Sequence, residues 1–94
     1  MKITKKYPDF YMRYKDKKVS SYGIEGVIVG CLMYHTKDLR LIMEADCKNE
    51  KMNIFEFAKD YNITILEYHG NPEKNFYFLP EEYFNRKDGK TFVI

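Results

Sequence analysis

The chain has 94 residues and a formal net charge of +2, with 45% hydrophobic and 32% charged residues. That length allows one domain, residues 1–94, around one modest core. The composition excludes a disordered or collagen-like chain, and so small a net charge does not by itself demand a polyanionic partner.

Aromatic residues make up 17% of the chain, nine Tyr and seven Phe. That is heavy for the length and favours strands and aromatic packing. The longest apolar run, Gly26 to Tyr34, is far short of the roughly 20 residues a membrane helix needs. No apolar stretch follows the N-terminal lysines, so no secretory signal is expected. Cys31 and Cys47 are too few for a disulfide framework, and Cys31 reads as a small buried hydrophobe. The expected location is therefore cytoplasmic, with reduced thiols. The bias toward Lys, Asn, Ile, Tyr and Phe points to an AT-rich genome, bacterial or viral.

Charge is uneven. Residues 1–18 hold seven basic and two acidic side chains, a net +5, which leaves −3 on the remainder. Tyr7, Phe10, Tyr11 and Tyr14 interleave with these lysines. Such a segment can hold a phosphate backbone while stacking bases. It also fits a lysine-rimmed strand whose charges protect an exposed edge. The low net charge favours the second reading.

In chain order, Phe10–Tyr14 alternates and predicts a strand, with Phe10, Met12 and Tyr14 inward and Tyr11, Arg13 and Lys15 outward. Asp16-Lys17-Lys18 is a turn, and Val19–Tyr22 is a short return strand. Val27–Tyr34 is apolar at both parities and predicts a central strand covered on both faces. Gly30 inside it marks a bulge or a close approach. His35–Asp38 is a polar connection to Leu39–Glu44, the hairpin partner. Asp46–Lys51 reads as a loop.

Asn53 is a helix N-cap, with Glu56 placed to reach back to it. Ile54, Phe57, Ala58 and Tyr61 then share one helical face, and Asn62 stops the helix in the left-handed region. Ile63–Tyr68 and Asn75–Leu79 predict strands joined as a hairpin through Gly70-Asn71-Pro72. Pro80–Phe84 is a helical turn with Glu81 and Glu82 at its positive end. Lys87–Lys90 is a turn, and Thr91–Ile94 a last strand tied into the sheet. Strands in runs predict an α+β fold, a small antiparallel sheet with one short helix packed on it. Tyr22–Gly30 and Phe78–Phe84 resemble parts of small SH3-like barrels, which is the alternative architecture.

Chemistry finds little purchase. Cys31, His35, Cys47 and His69 lack metal-ligand spacing: Cys31 and His35 stand ~13 Å apart on an extended strand. No metal and no cofactor is expected. Ser20-Ser21 lacks a nucleophile elbow, and Gly23-Ile24-Glu25-Gly26 lacks the ending of a phosphate loop. His35 and His69 could serve as base and acid in RNA cleavage if the fold brought them together. Tyrosine, however, is an efficient interface residue. The leading expectation is therefore a non-enzymatic interaction protein, accessory or inhibitory and phage-like or bacterial. Its partner would be another protein, or itself as a homodimer through a strand edge, with no membrane partner. The expected contacts are Tyr7, Tyr11, Arg13, Lys15 and Tyr83. The alternative is a nucleic-acid-binding domain using the basic aromatic N-terminal segment, and the third reading is a small histidine-dependent ribonuclease.

Overall fold

The computed structural model describes residues 8–48 and 53–94, with side chains for 8–45 and 53–94. Nine elements follow one another in these residues: α1 (Asp9–Tyr14), β1 (Lys18–Ser21), β2 (Ile24–Met33), β3 (Leu39–Lys48), α2 (Ile54–Asp60), β4 (Thr64–Tyr68), β5 (Lys74–Pro80), α3 (Glu81–Asn85) and β6 (Thr91–Val93). The six strands form one antiparallel sheet in the order β5-β3-β2-β1-β6, with β4 also on β2. The fold is α+β. The sheet does not close, since β5 and β6 lie at opposite ends of it, so the barrel alternative is not what the described residues build.

β2 is the spine. β3 runs along one side of it. The other side is shared: β1 pairs with Ile24–Val27 and β4 with Gly30–Met33. The neighbours change over at Ile28 and Val29. There the Ile28 carbonyl accepts from the Asp16 amide at 2.9 Å and the Val29 carbonyl from the His69 amide at 2.9 Å. A bulge lies between Ile28 and Gly30. It turns Ile28 and Cys31 to one face and Val29 and Leu32 to the other. Gly30 is the point of close approach: a Cβ there would run into the Glu67 carbonyl. Both expectations for this glycine, a bulge and a close neighbour, are met.

The two faces carry separate cores. Phe10, Tyr11, Val19, Ile28, Cys31, Leu41, Met43 and Leu79 form one, joined by Phe84. The short helices α1 and α3 lie over it, with Phe10 edge-on to Phe84 at 5.8 Å and Tyr14 stacked on Phe84 at 4.2 Å. Val29, Leu32, Ile42 and Ile54 form the other, beneath α2. Phe57 of α2 stands edge-on to Phe76 and Phe78, both at 5.5 Å. Asn53 caps α2 by accepting from the Phe55 amide at 2.8 Å, and Asn62 takes φ 60° just beyond it, both as the sequence predicts.

Several expectations fail. Three short helices lie on the sheet rather than one, α1 and α3 over one face and α2 over the other. Phe10–Tyr14 is helical rather than extended. Phe10, Tyr11 and Tyr14 share one helical stripe, so Tyr11 turns inward and Met12, expected inward on a strand, is exposed. Pro8 supplies the preset φ at its start, and the Met12 amide bonds the Pro8 carbonyl at 3.0 Å. β3 runs through Lys48, where a loop is expected from Asp46; residues 49–51 of that loop lie outside the described residues. β4 and β5 do not form a hairpin: β4 joins β2 and β5 joins β3. The link between them crosses the sheet over Val29 and Glu44. The Asn71 amide bonds the Glu44 carboxylate, and a Cβ on Gly70 would stand 2.9 Å from Val29 Cγ2.

Candidate interaction surface

β6 is the last strand at its end of the sheet, and its register on β1 decides which of its groups are free. The Tyr22 amide donates to the Lys90 carbonyl at 2.7 Å, and the Ile94 amide to the Lys18 carbonyl at 2.8 Å. With Ser20 opposite Phe92, residues 90, 92 and 94 direct their backbone groups at β1. In an antiparallel ladder the intervening residues point the other way. The amides and carbonyls of Thr91 and Val93 therefore face outward, and among the described residues no strand pairs with them.

The side chains around this edge are apolar and exposed: Phe92 at 48%, Val93 at 43% and Ile94 at 57%. Phe92 shares the α2-side face with Ser20, Lys18 and Val27, but α2 lies at the other end. Val93 and Thr91 share the opposite face with Val19 and Ser21. On that face the Ser21 and Thr91 hydroxyls bond each other at 2.9 Å, which ties β6 to β1 in a buried position.

A turn builds the rim. Tyr22 and Gly23 connect β1 to β2 with φ 51° and 87°, the pair of positive φ values a two-residue type I′ hairpin requires. Tyr22 is held from three sides. Its hydroxyl accepts from Arg86 Nη1 at 2.8 Å, its ring meets Tyr83 edge-on at 5.3 Å, and Lys90 Nζ stands 5.7 Å from its centroid. Ser20, Tyr22, Gly23, Gly89, Lys90 and Phe92 enclose a cleft of about 440 Å³. Gly23 and Gly89 leave its wall open, with nothing within 4 Å of where a Cβ would stand. The arrangement offers hydrogen bonds to an extended backbone, a ring on which to pack, and a cation at the margin.

Of the expected contacts, Tyr83 belongs to this rim, where Arg86 lies 5.3 Å over its ring. Arg13 is exposed but joins α1 to α3 through Glu81 at 3.5 Å. Lys15 is half-buried over the Tyr11 ring at 5.9 Å. Tyr11 is a correction: it is fully buried rather than outward-facing, because the helix turns it into the core. Tyr7 lies outside the described residues. The four described ones do not assemble into one surface. The residues that do assemble are Tyr22, Lys90 and Phe92, which the sequence places at the end of a short return strand, in a polar turn and in an apolar last strand. Nothing in the sequence told which side of that strand would be unpaired.

The histidines are placed apart. His69 Nε2 meets Asp16 Oδ1 at 3.1 Å where β1 and β4 meet along β2. His35 is exposed in the turn beyond Met33 and lines a second cleft of about 260 Å³ with Tyr34, Thr36, Phe57, Tyr61 and Ile63. Val29, which binds the His69 backbone, and Met33 are separated by ~13 Å of strand, and His35 lies two residues further on. Among the described residues no three His, Cys, Asp or Glu side chains gather as a metal site. The Tyr68 hydroxyl is pushed up to about 12, first by burial and then by the Glu44 carboxylate, so it stays protonated at neutral pH. No helix of the described residues is long and apolar enough to cross a membrane. No protein-family model, curated protein or solved structure matches the chain.

Proposed function

We propose that this chain is a small interaction protein that binds another macromolecule by strand addition at the β6 edge. The observation that carries the reading is the outward-facing backbone of Thr91 and Val93 beside the exposed side chains of Phe92, Val93 and Ile94. In strand addition the main chain supplies affinity and alternate side chains supply selectivity, and this edge offers both. Tyr83 contributes by bracing Tyr22 at the margin. The function needs no cofactor, and no catalytic step is assigned to His35 or His69. Binding of nucleic acid through the N-terminal segment is less favoured, because Phe10 and Tyr11 are spent in the core and leave the nearby lysines without those stacking rings.

Panning a library of extended peptides against the full chain tests the reading. Alternating apolar segments are expected to be enriched, with binding lost in Val93→Pro, which deletes one outward amide and no bond to β1. Peptide binding that survives this substitution overturns the proposal. So does retention of polyuridine alone, with affinity falling steeply as salt rises.

A further inference from the structure

We infer that the β6 edge pairs with the β6 edge of a second copy of this chain, in an antiparallel, two-fold arrangement centred on Phe92. The inference rests on β6 being the docking edge and names its occupant.

The edge is self-complementary. If Phe92 lies opposite Phe92 of the second copy, Thr91 of each chain faces Val93 of the other. Those are the residues whose amides and carbonyls point outward. Each pair can then exchange two hydrogen bonds, and no outward group of β6 is left over. Phe92 directs its own backbone groups at β1, so the two Phe92 residues form a non-hydrogen-bonded pair. Such pairs bring Cα atoms to ~4.5 Å, the closer of the two antiparallel spacings and the one that suits aromatic contact. On the opposite face Thr91 meets Val93, both β-branched.

Charge fits the same register. Thr91 to Ile94 carries no charged side chain, so no like charges come face to face across the new junction. Lys90 falls opposite Ile94 of the second copy. The nearest like charge to it on that face is Lys18, two strands away at ~10 Å, about the screening length at physiological salt. Sheet edges that must stay single are usually guarded by lysine or proline. β5, at the other end, starts at Lys74 and ends at Pro80; β6 has neither within it. Three residues per side make a small contact, well under the ~1,600 Å² of a standard interface, so the dimer is concentration-dependent rather than obligate.

Sedimentation velocity of the full chain, from low micromolar to near-millimolar concentration, tests the pairing. The average mass should rise toward twice the monomer. Val93→Pro should hold it at the monomer while keeping the wild-type circular dichroism spectrum, and Val93→Thr, which retains the amide, should still dimerise. Phe92→Lys, which sets two charges opposite each other, is a second variant expected to remain monomeric. In a mixture of labelled and unlabelled chains, Phe92 rings should show contacts between copies. A wild-type chain that stays monomeric throughout, or a dimer indifferent to Val93→Pro and Phe92→Lys, overturns self-pairing. If that monomer still binds extended peptides and loses them in Val93→Pro, only the second copy is refuted. If it binds none, the docking edge falls as well.

Discussion

Phe78 and Phe92 lie on the same face of one sheet, on the strands at its two ends, and their surroundings differ completely. Phe78 is half-buried beneath α2, edge-on to Phe57 at 5.5 Å and stacked with Phe76 at 5.4 Å. Phe92 is 48% exposed, with Ser20 beside it, and among the described residues it belongs to neither core cluster. The sheet is thus finished at the β5 end and open at the β6 end. A hydrophobic ring in the first place holds the fold together; in the second it is available to a partner. Residue type alone does not separate these roles. The covering element does.

The largest test of that contrast is Phe78→Ala. It removes a ring from a packed aromatic cluster and should cost about 3 kcal/mol, near the low end for a buried phenylalanine because the side chain is not fully enclosed. Urea denaturation reads the loss directly. A cost below that of an ordinary surface substitution would mean that α2 does not cover this end as described.

Gly30→Ala comes next. The added methyl would collide with the Glu67 carbonyl, which is backbone and cannot swing away. The expected penalty is about 2 kcal/mol, from forcing β4 off β2. Amide hydrogen exchange should localise the damage to β4 and spare the β1–β6 end. Uniform loss of protection would break the division of the sheet into two ends.

How much of this was legible in the sequence depends on the range of the interaction. The Asn53 cap and the left-handed Asn62 are local features with local causes, and they can be read residue by residue; Gly30 signals a close approach by its type, but the neighbour, the Glu67 carbonyl of β4, is distant in sequence. The two-sided apolar pattern of Val27–Tyr34 announces a central strand because burial on both faces leaves no polar parity. Phe10–Tyr14 reads as a strand because five residues are too few to separate the two periods: Phe10 and Tyr14 face inward in either, and only the helix exchanges exposed Met12 for buried Tyr11. The β4–β5 pairing was misread because a turn signal at Gly70-Asn71-Pro72 says that the chain bends, not which strand it will meet. Its partners are distant in sequence: β4 pairs with β2, β5 with β3, and the Asn71 amide between them donates to the Glu44 carboxylate 27 positions away. The proposed interaction surface is hidden from sequence for the same reason. The apolar character of Thr91–Ile94 is plain, but its exposure follows from β6 being last in the strand order.

Asn53→Ala probes the lid of the finished end. The side chain satisfies one orphan amide of α2, and its loss should cost about 1 kcal/mol. Thermal unfolding would register the change. Aspartate at 53 should restore most of it, since a carboxylate there can also accept from the helix amides. A helix loosened in this way should expose Phe78 to solvent and make the covered end behave more like the open one.

Phe92→Ala is the smallest effect on stability and the sharpest on the comparison. The ring has little to lose on unfolding, because nearly half of it is already in water. The change should stay within about 0.5 kcal/mol, the range of ordinary surface positions. β6 itself remains tied by its ladder to β1 and by the buried Ser21–Thr91 hydroxyl pair, neither of which involves the ring. Self-association should nonetheless weaken, because Phe92 supplies the central contact of the paired edges. A destabilisation as large as that of Phe78→Ala would show that the ring is structural and that the sheet is closed at both ends in solution. A stable variant with impaired association separates the two roles that one residue type plays on one face.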